Sequence, residues 1–312
     1  MFAALAGGVG AAKLLAGLVR VVDPAEVTAV VNTGDDMVLH GLHISPDLDT
    51  VVYTLAGLQN PDTGWGLAKE SWHTMGALEQ LGGETWFALG DVDLATHLYR
   101  TERLAEGASL SEVTGELCRA RGVRVQVLPM SDDPVRTWLT LAEGDGDGPE
   151  VPFQHYFVRL RHGVAVRAVR FDGADTARPA PGVLDALASA ERLIVCPSNP
   201  VVSVGPILAV PGLRPALRER RDDVVAVSPI VAGAALKGPA DRLLTELGQE
   251  SSVVGVARLY AEVVGTLVID EADRHLAPAV EREGVRCVVT DTVMSSAERA
   301  GALAATVLAA LG

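Results

Sequence analysis

Short runs of apolar, often β-branched residues alternate along this chain with longer stretches whose apolar positions recur at helical spacing. The runs at residues 27–32, 192–196 and 224–227 are apolar at most positions. Such continuous apolar strands are typical of a parallel sheet that is covered on both faces. Strands that alternate with helices need crossover connections. The pattern therefore predicts an α/β fold with a Rossmann-like, doubly wound, mostly parallel sheet.

The predicted elements form one domain, residues 1–312, made of a core and a smaller helical and β-hairpin insertion. The core covers about residues 1–60 and 182–312, with predicted strands at 1–5, 27–32, 192–196, 224–227, 266–269 and 286–289 and predicted helices at 11–21 and 295–311. The insertion covers about residues 61–181, with helices to about residue 121, a strand at 124–128 and β-like segments near 137–141, 153–159 and 165–170. The acidic, glycine-rich stretch 143–149 is a predicted surface loop.

Composition narrows the class of protein. The chain is 48% hydrophobic, yet no apolar run approaches the roughly 20 residues that span a bilayer. The first residues also lack the basic region of a signal peptide, so we expect a cytoplasmic protein without a membrane partner. The net charge of −14 argues against nucleic acid, because binding its backbone needs clustered Lys and Arg. The cysteines Cys118, Cys196 and Cys287 have no metal or disulfide spacing.

The glycine-rich loop Gly7-Gly8-Val9-Gly10 joins the first predicted strand to the first predicted helix. Glycines allow close approach of the backbone to a phosphate, and a helix N-terminus offers free N–H donors. The loop does not match the dinucleotide fingerprint, because Lys13 stands at the third glycine. It does not match a P-loop either, since Leu14 follows Lys13. A plain tight turn stays an alternative to a phosphate site.

Acidic and polar loops follow several predicted strands. In open α/β sheets these loops meet at the carboxyl edge, where ligands bind. Carboxylates there can bind hydroxyls or a metal, although each loop alone also reads as a turn or helix cap. The loops are Asn32-Thr33-Gly34-Asp35-Asp36, Ser45-Pro46-Asp47-Leu48-Asp49-Thr50, Gly90-Asp91-Val92-Asp93, Pro129-Met130-Ser131-Asp132-Asp133-Pro134, Pro197-Ser198-Asn199-Pro200, Ser228-Pro229-Ile230 and Leu236-Lys237-Gly238-Pro239.

The histidines and possible nucleophiles give little further indication of the function. His40, His43 and His97 lie near acidic loops without a metal-ligand spacing, and we interpret them as structural. No Gly-x-Ser-x-Gly elbow is present in the sequence. Acids and a phosphate loop without a nucleophile favour metal-assisted group transfer.

Taken together, the motifs resemble the 2-phospho-L-lactate transferase (CofD) family. The resemblance runs in order from Ala6 to about Met294, and the set is specific although each motif alone is weak. The motifs are Ala6-Gly7-Gly8-Val9-Gly10, Val31-Asn32-Thr33-Gly34-Asp35-Asp36, Ser45-Pro46-Asp47-Leu48-Asp49-Thr50, Gly64-Trp65-Gly66, Gly90-Asp91-Val92-Asp93-Leu94-Ala95-Thr96-His97, Met130-Ser131-Asp132-Asp133-Pro134 and Pro197-Ser198-Asn199-Pro200.

The resemblance implies a step in the synthesis of the deazaflavin coenzyme F420. The family takes a guanosine diphosphate activated with 2-phospholactate or enolpyruvyl phosphate. It moves the organic phosphate onto the terminal ribityl hydroxyl of the deazaflavin FO and releases GMP, with Mg²⁺ as the cofactor. Small-molecule substrates and a homodimer are also implied.

The same resemblance, with the chemistry of the reaction, suggests roles for the candidate residues. Asp47 and Asp49 are the catalytic and metal candidates, with Asp49 preferred for the metal or the ribityl chain, and Asp35 and Asp36 are lesser candidates. The expected phosphate-cleft and substrate contacts are Gly7, Gly8, Gly10, Lys13, Asn32, Asp35, Asp36, Asp91, Ser198, Asn199, Lys237 and Gly238.

One position departs from the family pattern. The family commonly has Gly-Asp-Arg-Asp where this chain has Gly90-Asp91-Val92-Asp93. If that arginine binds substrate, another cation must replace it. Arg100 and Arg103, two to three helical turns further on, are the candidates.

The main alternative is a regulatory protein of the related gluconeogenesis-factor family, which binds nucleotide sugars and shares the glycine loop. Those proteins continue from the second strand into Asp-Asp-Gly-Gly-Ser-Ser-Gly. Here Met37 follows Asp36, and the Asp47 and Asp49 acids are present. A nicotinamide-dependent dehydrogenase is disfavoured by the failed fingerprint.

Overall fold

The structure is a computed structural model that describes residues 1–144 and 146–310. Its strands are β1 (Phe2–Ala6), β2 (Val27–Val31), β3 (Met37–Leu39), β4 (Leu42–Ile44), β5 (Gln126–Pro129), β6 (Arg136–Glu143), β7 (Gly146–Pro152), β8 (Val166–Asp172), β9 (Arg192–Val195), β10 (Val224–Val227), β11 (Ile230–Val231), β12 (Ala234–Ala235), β13 (Thr266–Asp270) and β14 (Arg286–Thr290). Its α-helices are α1 (Gly8–Leu18), α2 (Pro46–Leu55), α3 (His73–Gln80), α4 (Asp93–Ala105), α5 (Leu110–Ala120), α6 (Val183–Ser189), α7 (Gly205–Ala209), α8 (Leu213–Glu219), α9 (Ala240–Glu246), α10 (Val253–Tyr260), α11 (Ala277–Arg282) and α12 (Ala297–Ala309).

The main sheet is parallel throughout and runs β14-β13-β10-β9-β1-β2-β5 within the described residues. Strand β1 lies inside it, so that Phe2 pairs with Val27 of β2 on one side and with Arg192 of β9 on the other. The chain first builds the sheet outward through β2 and then crosses to β9. This reversal makes the sheet doubly wound, and the predicted fold class is confirmed.

Two separate cores explain why the strands of the main sheet are apolar on both faces. Leu5 of β1 packs into a core with α6, α8 and α10, whereas Ala4 and Ala6 face a second core with α1, α2 and α12. Full burial of a side chain such as Leu5 contributes about 1.5–3 kcal/mol to folding. A strand with alternating apolar and polar residues would place polar side chains against one of these cores. Because helices cover both faces of the sheet, the strands must be apolar at continuous positions.

Most predicted core elements are confirmed with shifts of a few residues. The largest shift is at α1, which begins at Gly8 rather than at residue 11, so that the glycine loop forms the first turn of the helix. At the other end of the chain α12 spans Ala297–Ala309, and residue 311, the predicted helix end, lies outside the described residues.

The stretch that we expected to be a simple insertion contributes to the main sheet. Strand β5, at Gln126–Pro129, pairs with β2 as an edge strand. The insertion therefore has two parts. Before β5 lie helices α3 to α5. The hairpin β3–β4, which the sequence did not indicate, lies outside the insertion, in the predicted core segment 1–60. After β5 lies an antiparallel sheet in the order β7-β6-β8.

The predicted β-like segment at 153–159 is wrong, because this segment is helical and forms a π-type turn over His155–Arg159. Phe153 and Phe157 are four residues apart and their rings stack at 5.4 Å, which is a helical spacing. The strand lies earlier, at β7, which begins inside the predicted surface loop 143–149 and ends at Pro152. As an exposed edge strand β7 needs no apolar face, so the pattern did not reveal it. Residue 145 lies outside the described residues.

No single helix in the described part of the chain is long and apolar enough to cross a membrane. Pro200–Ala209 and Leu213–Glu219 together pass a test of length and composition, across a 94° bend.

Candidate active site

The loops after β1 and β9 meet where the sheet changes direction. The Gly7 N–H donates to Ser198 Oγ at 3.2 Å. A Cβ added to Gly10 would lie 2.3 Å from the carbonyl oxygen of Pro197. Ligands in doubly wound sheets bind at this switch point, beyond the carboxyl ends of the strands. The two loops therefore define the floor of a candidate active site.

The conformation of the glycine loop excludes side chains. Gly8 has a φ of +72°, a left-handed conformation that suits glycine. A Cβ on Gly7 would lie 2.7 Å from Ser203 Cβ and 2.9 Å from Asp47 Oδ2. Helix α1 starts here with no acidic residue in its first turn. Its backbone N–H groups and partial positive charge thus face the cleft, an arrangement that suits an anion.

A cavity of about 600 Å³ opens over this edge of the sheet. It brings together most of the residues that we expected at the site, including both acids from the start of α2. The expected residues that line the cavity are Gly7, Gly8, Gly10, Asn32, Asp35, Asp47, Asp49, Ser198, Asn199, Lys237 and Gly238.

Three expected residues lie elsewhere. Lys13 is just below the floor, where its Nζ donates to the Met294 carbonyl at 3.3 Å. Asp36 lines a second cavity of about 340 Å³, together with the Ser131-Asp132-Asp133-Pro134 loop. The Asp91 carboxylate accepts from the N–H groups of His73 and Thr74 and so caps α3 instead of reaching the main cavity.

Asp35 and Asp47 face each other across Asn32. Asn32 Nδ2 donates to Asp47 Oδ2 at 2.9 Å and lies 3.5 Å from Asp35 Oδ1. Gln154 Nε2 donates to Asp35 Oδ2 at 2.7 Å. Burial raises the pKa of Asp47 to about 6. Burial, followed by the charges of Asp47 and Asp36, raises the pKa of Asp35 well above its usual value. A cation between two buried carboxylates that repel each other in this way would offset their repulsion.

The donor set at this pair fits a hard divalent ion. Asp35 and Asp47 both line the cavity and offer carboxylate oxygens, and neither forms an ion pair with a basic side chain in the described part of the chain. No group of three or more His, Cys, Asp or Glu residues among the described residues could hold a metal. Mg²⁺ binds proteins through one or two carboxylates and keeps water and substrate phosphate as its other ligands.

Asp49 has a different partner from Asp47. Arg100 Nη1 donates to Asp49 Oδ2 at 3.1 Å, and Nη2 contacts Oδ1. Arg100 is 1% exposed and also donates to the His43 carbonyl. It lies behind Asp49 and does not line the main cavity. Arg103 pairs with Glu116. Neither arginine therefore lines the main cavity.

Beside Asp49 lies a cluster whose importance the sequence did not indicate. Tyr53 OH donates to Asp93 Oδ1, and His97 Nε2 lies 3.2 Å from Asp93 Oδ2. All three residues line the main cavity. The available signal was spacing: Asp49 and Tyr53 are four residues apart on α2, as Asp93 and His97 are on α4, which places each pair on one helix face.

Four aromatic side chains line the cavity, and we call them the aromatic wall. They come from separate segments of the chain, so no local sequence motif indicated that they would lie at the site. Trp65 is 51% exposed, and Phe153 and Phe157 stack with their rings 12° from parallel. In a chain that is only 4% aromatic, such a wall favours a flat, conjugated ligand. The rings are those of Trp65, Phe87, Phe153 and Phe157.

Two lysines supply positive charge at the glycine loop. Lys237 Nζ donates to the Thr63 carbonyl at 2.9 Å. Burial, and then the charge of Lys237, lowers the pKa of Lys13. Neither forms an ion pair with a carboxylate among the described residues. Asn199 adds a buried Nδ2 that has no partner within the same residues. These donors suit a phosphate or diphosphate.

Comparisons with known proteins identify the family of this chain. The model of the family "2-phospho-L-lactate transferase CofD" matches residues 2–308. A phosphoenolpyruvate transferase of Kitasatospora aureofaciens is 45% identical over 98% of this chain and 96% of its own. One from Streptomyces coelicolor is 43% identical, over 96% and 94%. A solved member of the UPF0052 family from Bacillus halodurans superposes with a TM-score of 0.62 over 98% of both chains, at 17% identity, and supports the fold alone. With a family match over nearly its whole length, the chain belongs to the 2-phospho-L-lactate transferase CofD family.

Proposed function

We propose that this chain transfers an organic phosphate from a guanosine diphosphate-activated donor to the terminal ribityl hydroxyl of FO and releases GMP, a step in coenzyme F420 synthesis. One observation carries the proposal. The cationic glycine-loop edge, the facing carboxylates of Asp35 and Asp47 and the aromatic wall all border one cavity. An activated phosphate, a divalent ion and a flat acceptor need these three features together.

The donor diphosphate is assigned to the glycine loop. The N–H groups at the start of α1 and the ammonium groups of Lys13 and Lys237 offset its charge. If Lys237 released the Thr63 carbonyl, its Nζ could donate to a phosphate oxygen instead. Asn199 Nδ2 is a further donor, because Asn199 Oδ1 accepts from Val201 N–H and leaves the amide nitrogen available.

We assign Mg²⁺ to Asp35 and Asp47 rather than to Asp47 and Asp49. The reason is that Arg100 engages both carboxylate oxygens of Asp49. When bound, Mg²⁺ offsets the charge that develops as the diphosphate bond breaks. Asn32 orients Asp47 for this role through its Nδ2.

The acceptor FO is assigned to the aromatic wall. Its flat ring system would stack on Trp65 or on the Phe153–Phe157 pair, which leaves its ribityl chain to extend toward the glycine loop. The hydroxyl oxygen then attacks phosphorus, a new P–O bond forms, and the P–O bond to GMP breaks in line with it. Holding both substrates in one cavity also accelerates the reaction, because the hydroxyl and the phosphorus are brought close together.

The names of the relatives favour the enolpyruvyl donor over the lactyl donor, since the curated relatives given above are phosphoenolpyruvate transferases. The two donors differ only in the hydrogenation of one small group. A homodimer in the cytoplasm belongs to the same proposal and rests on the family resemblance.

The test is a direct assay. Purified protein is mixed with FO, Mg²⁺ and each activated guanosine donor in turn, and GMP and the charged deazaflavin product are quantified. We expect GMP and product in equal amounts, with the faster rate from the enolpyruvyl donor. No product from either donor, in a preparation whose fold is verified by circular dichroism, contradicts the proposal. Saturable binding of a UDP-sugar without turnover would instead support a regulatory protein.

A further inference from the structure

Asp93 occupies a distinctive position at the main cavity. It is the first residue of α4, and its side chain is 16% exposed. Glu70 accepts from the backbone N–H of Asp93 at 2.7 Å and fixes the start of the helix. The carboxylate itself meets Tyr53 OH at one oxygen and His97 Nε2 at the other. It is thus held in a fixed orientation while it still lines the cavity.

The neighbours of His97 decide which ring nitrogen carries the proton. Arg100 Nη1 lies 3.3 Å from His97 Nδ1. A guanidinium group only donates, so Nδ1 must accept, and the proton of the neutral ring is on Nε2. Nε2 faces Asp93 Oδ2. Arg100 therefore sets the tautomer of His97 and places the Nε2–H beside Asp93 Oδ2, at 3.2 Å but without the alignment of a hydrogen bond.

The partners of Asp93 leave it a free negative charge. Tyr53 is an uncharged donor and His97 an uncharged neighbour, whereas Asp49 is bound by a guanidinium at both oxygens. Asp35 and Asp47 are assigned to the cation. Burial opposes the ionisation of Asp93, but its contacts with His97 and Tyr53 and the charge of Arg100 outweigh it and lower the pKa of Asp93. Among the cavity carboxylates Asp93 is thus the ionised one without a cationic partner of its own.

We propose that Asp93 is the catalytic base that accepts the proton of the attacking acceptor hydroxyl, and that His97 is its positioning residue. This inference rests on the proposed function. As the hydroxyl oxygen bonds to phosphorus, its proton moves to Asp93 and the electron pair of the broken P–O bond leaves with GMP. Protein kinases use an aspartate for the same step.

The first test is Asp93→Asn, with Asp91→Asn as the matched control. Asp91 lies two residues earlier, caps α3 and does not line the cavity. We expect Asp93→Asn to lower kcat by about 10²- to 10⁴-fold, while calorimetric affinities for FO and for GDP with Mg²⁺ stay near wild type. Asp91→Asn should lower the melting temperature and keep kcat.

A second set of variants separates positioning from structure. Glutamine can donate to Asp93 from near the place of Nε2, so His97→Gln should keep more of kcat than His97→Ala at equal KM for FO. Asp93→Glu keeps the charge but displaces it, so kcat should be intermediate. It also serves as the deciding variant if Asp93→Asn is unstable.

The outcomes distinguish a failure of the proposed function from a failure of the role of Asp93. A wild-type enzyme without turnover contradicts the proposed function, and the role of Asp93 with it. A wild-type enzyme that works, with a kcat that is unchanged in Asp93→Asn or in Asp93→Glu, overturns the role of Asp93 alone. A variant whose only change is weaker FO binding assigns Asp93 to acceptor binding and overturns its role as the base.

Discussion

Asp49 and Arg100 form a buried ion pair that joins α2 to α4 across 51 positions of sequence, with the guanidinium in contact with both carboxylate oxygens. Both side chains are at least nine-tenths buried. Taking two such charges out of water is costly, and their mutual attraction offsets that cost only while both are present. The pair therefore fixes the position of α4, and with it Asp93 and His97, against the cavity.

Removing Arg100 should destabilise the protein strongly. Arg100→Met leaves Asp49 buried and unpaired, and we expect a loss of about 3–5 kcal/mol in the free energy of unfolding. Arg103→Met is the control on the same helix, since its pairs with Glu106 and Glu116 are much less buried and should contribute at most about 1 kcal/mol. Urea denaturation measures both. Equal effects from the two variants would contradict a structural role for the Asp49–Arg100 pair.

The stability of the metal-free protein should fall as the pH rises. Burial raises the pKa of Asp47 from 3.8 to about 6, so the folded state binds this proton more tightly than the unfolded chain does. Its stabilising contribution is complete below about pH 4 and is lost as the pH rises through about 6. The loss from Asp47 alone is up to about 3 kcal/mol.

Mg²⁺ should reverse this trend, because it replaces the proton between Asp35 and Asp47. Denaturation curves at pH 5 and 7.5, with EDTA or with Mg²⁺, test the prediction. We expect a larger gain from Mg²⁺ at pH 7.5, and a smaller gain in Asp47→Asn. The same gain in wild type and Asp47→Asn would show that the ion binds elsewhere.

The close approach of the two loops predicts opposite results for two glycines. Gly10→Ala places a methyl group where the Pro197 carbonyl leaves only 2.3 Å, so the loops must separate. We expect lower stability and weaker GDP binding. Gly76, in α3, has nothing within 4 Å of an added Cβ, and Gly76→Ala should stabilise the helix by up to about 1 kcal/mol. Thermal denaturation and GDP titration compare them, and wild-type GDP affinity in Gly10→Ala would contradict the assignment of this loop.

The aromatic wall predicts a selective effect on the acceptor. Trp65 lines the cavity and is 51% exposed, whereas Trp72 is 47% exposed and outside it. Trp65→Leu should raise KM for FO by about 2- to 10-fold, the worth of one aromatic contact, with little change in stability or in the donor KM. Trp72→Leu should leave both KM values unchanged. A raised donor KM in Trp65→Leu would place the guanine, not FO, on this wall.

Apolar patterning identified the strands of the main sheet because each of these strands must bury both faces. The resulting run of apolar residues lies within a single strand, so it is visible in the local sequence. The π-type turn at His155–Arg159 escaped it because a five-residue apolar segment fits a strand or a helical turn equally well. Strand β7 escaped it for the opposite reason, since an edge strand exposed to water leaves no apolar pattern.

The sequence by itself therefore determined the α/β sheet, the glycine loop at the start of α1 and the acidic loops at its carboxyl edge, because these features depend on residues that are close together in the chain. Only the tertiary structure decided which partner each aspartate of these loops contacts. Asp47 turns to Asn32 and Asp35, while Asp49, two residues on, turns to Arg100. Residues two positions apart on a helix point in nearly opposite directions, so the partner of each was set by where the loop after β2 and helix α4 lie around α2.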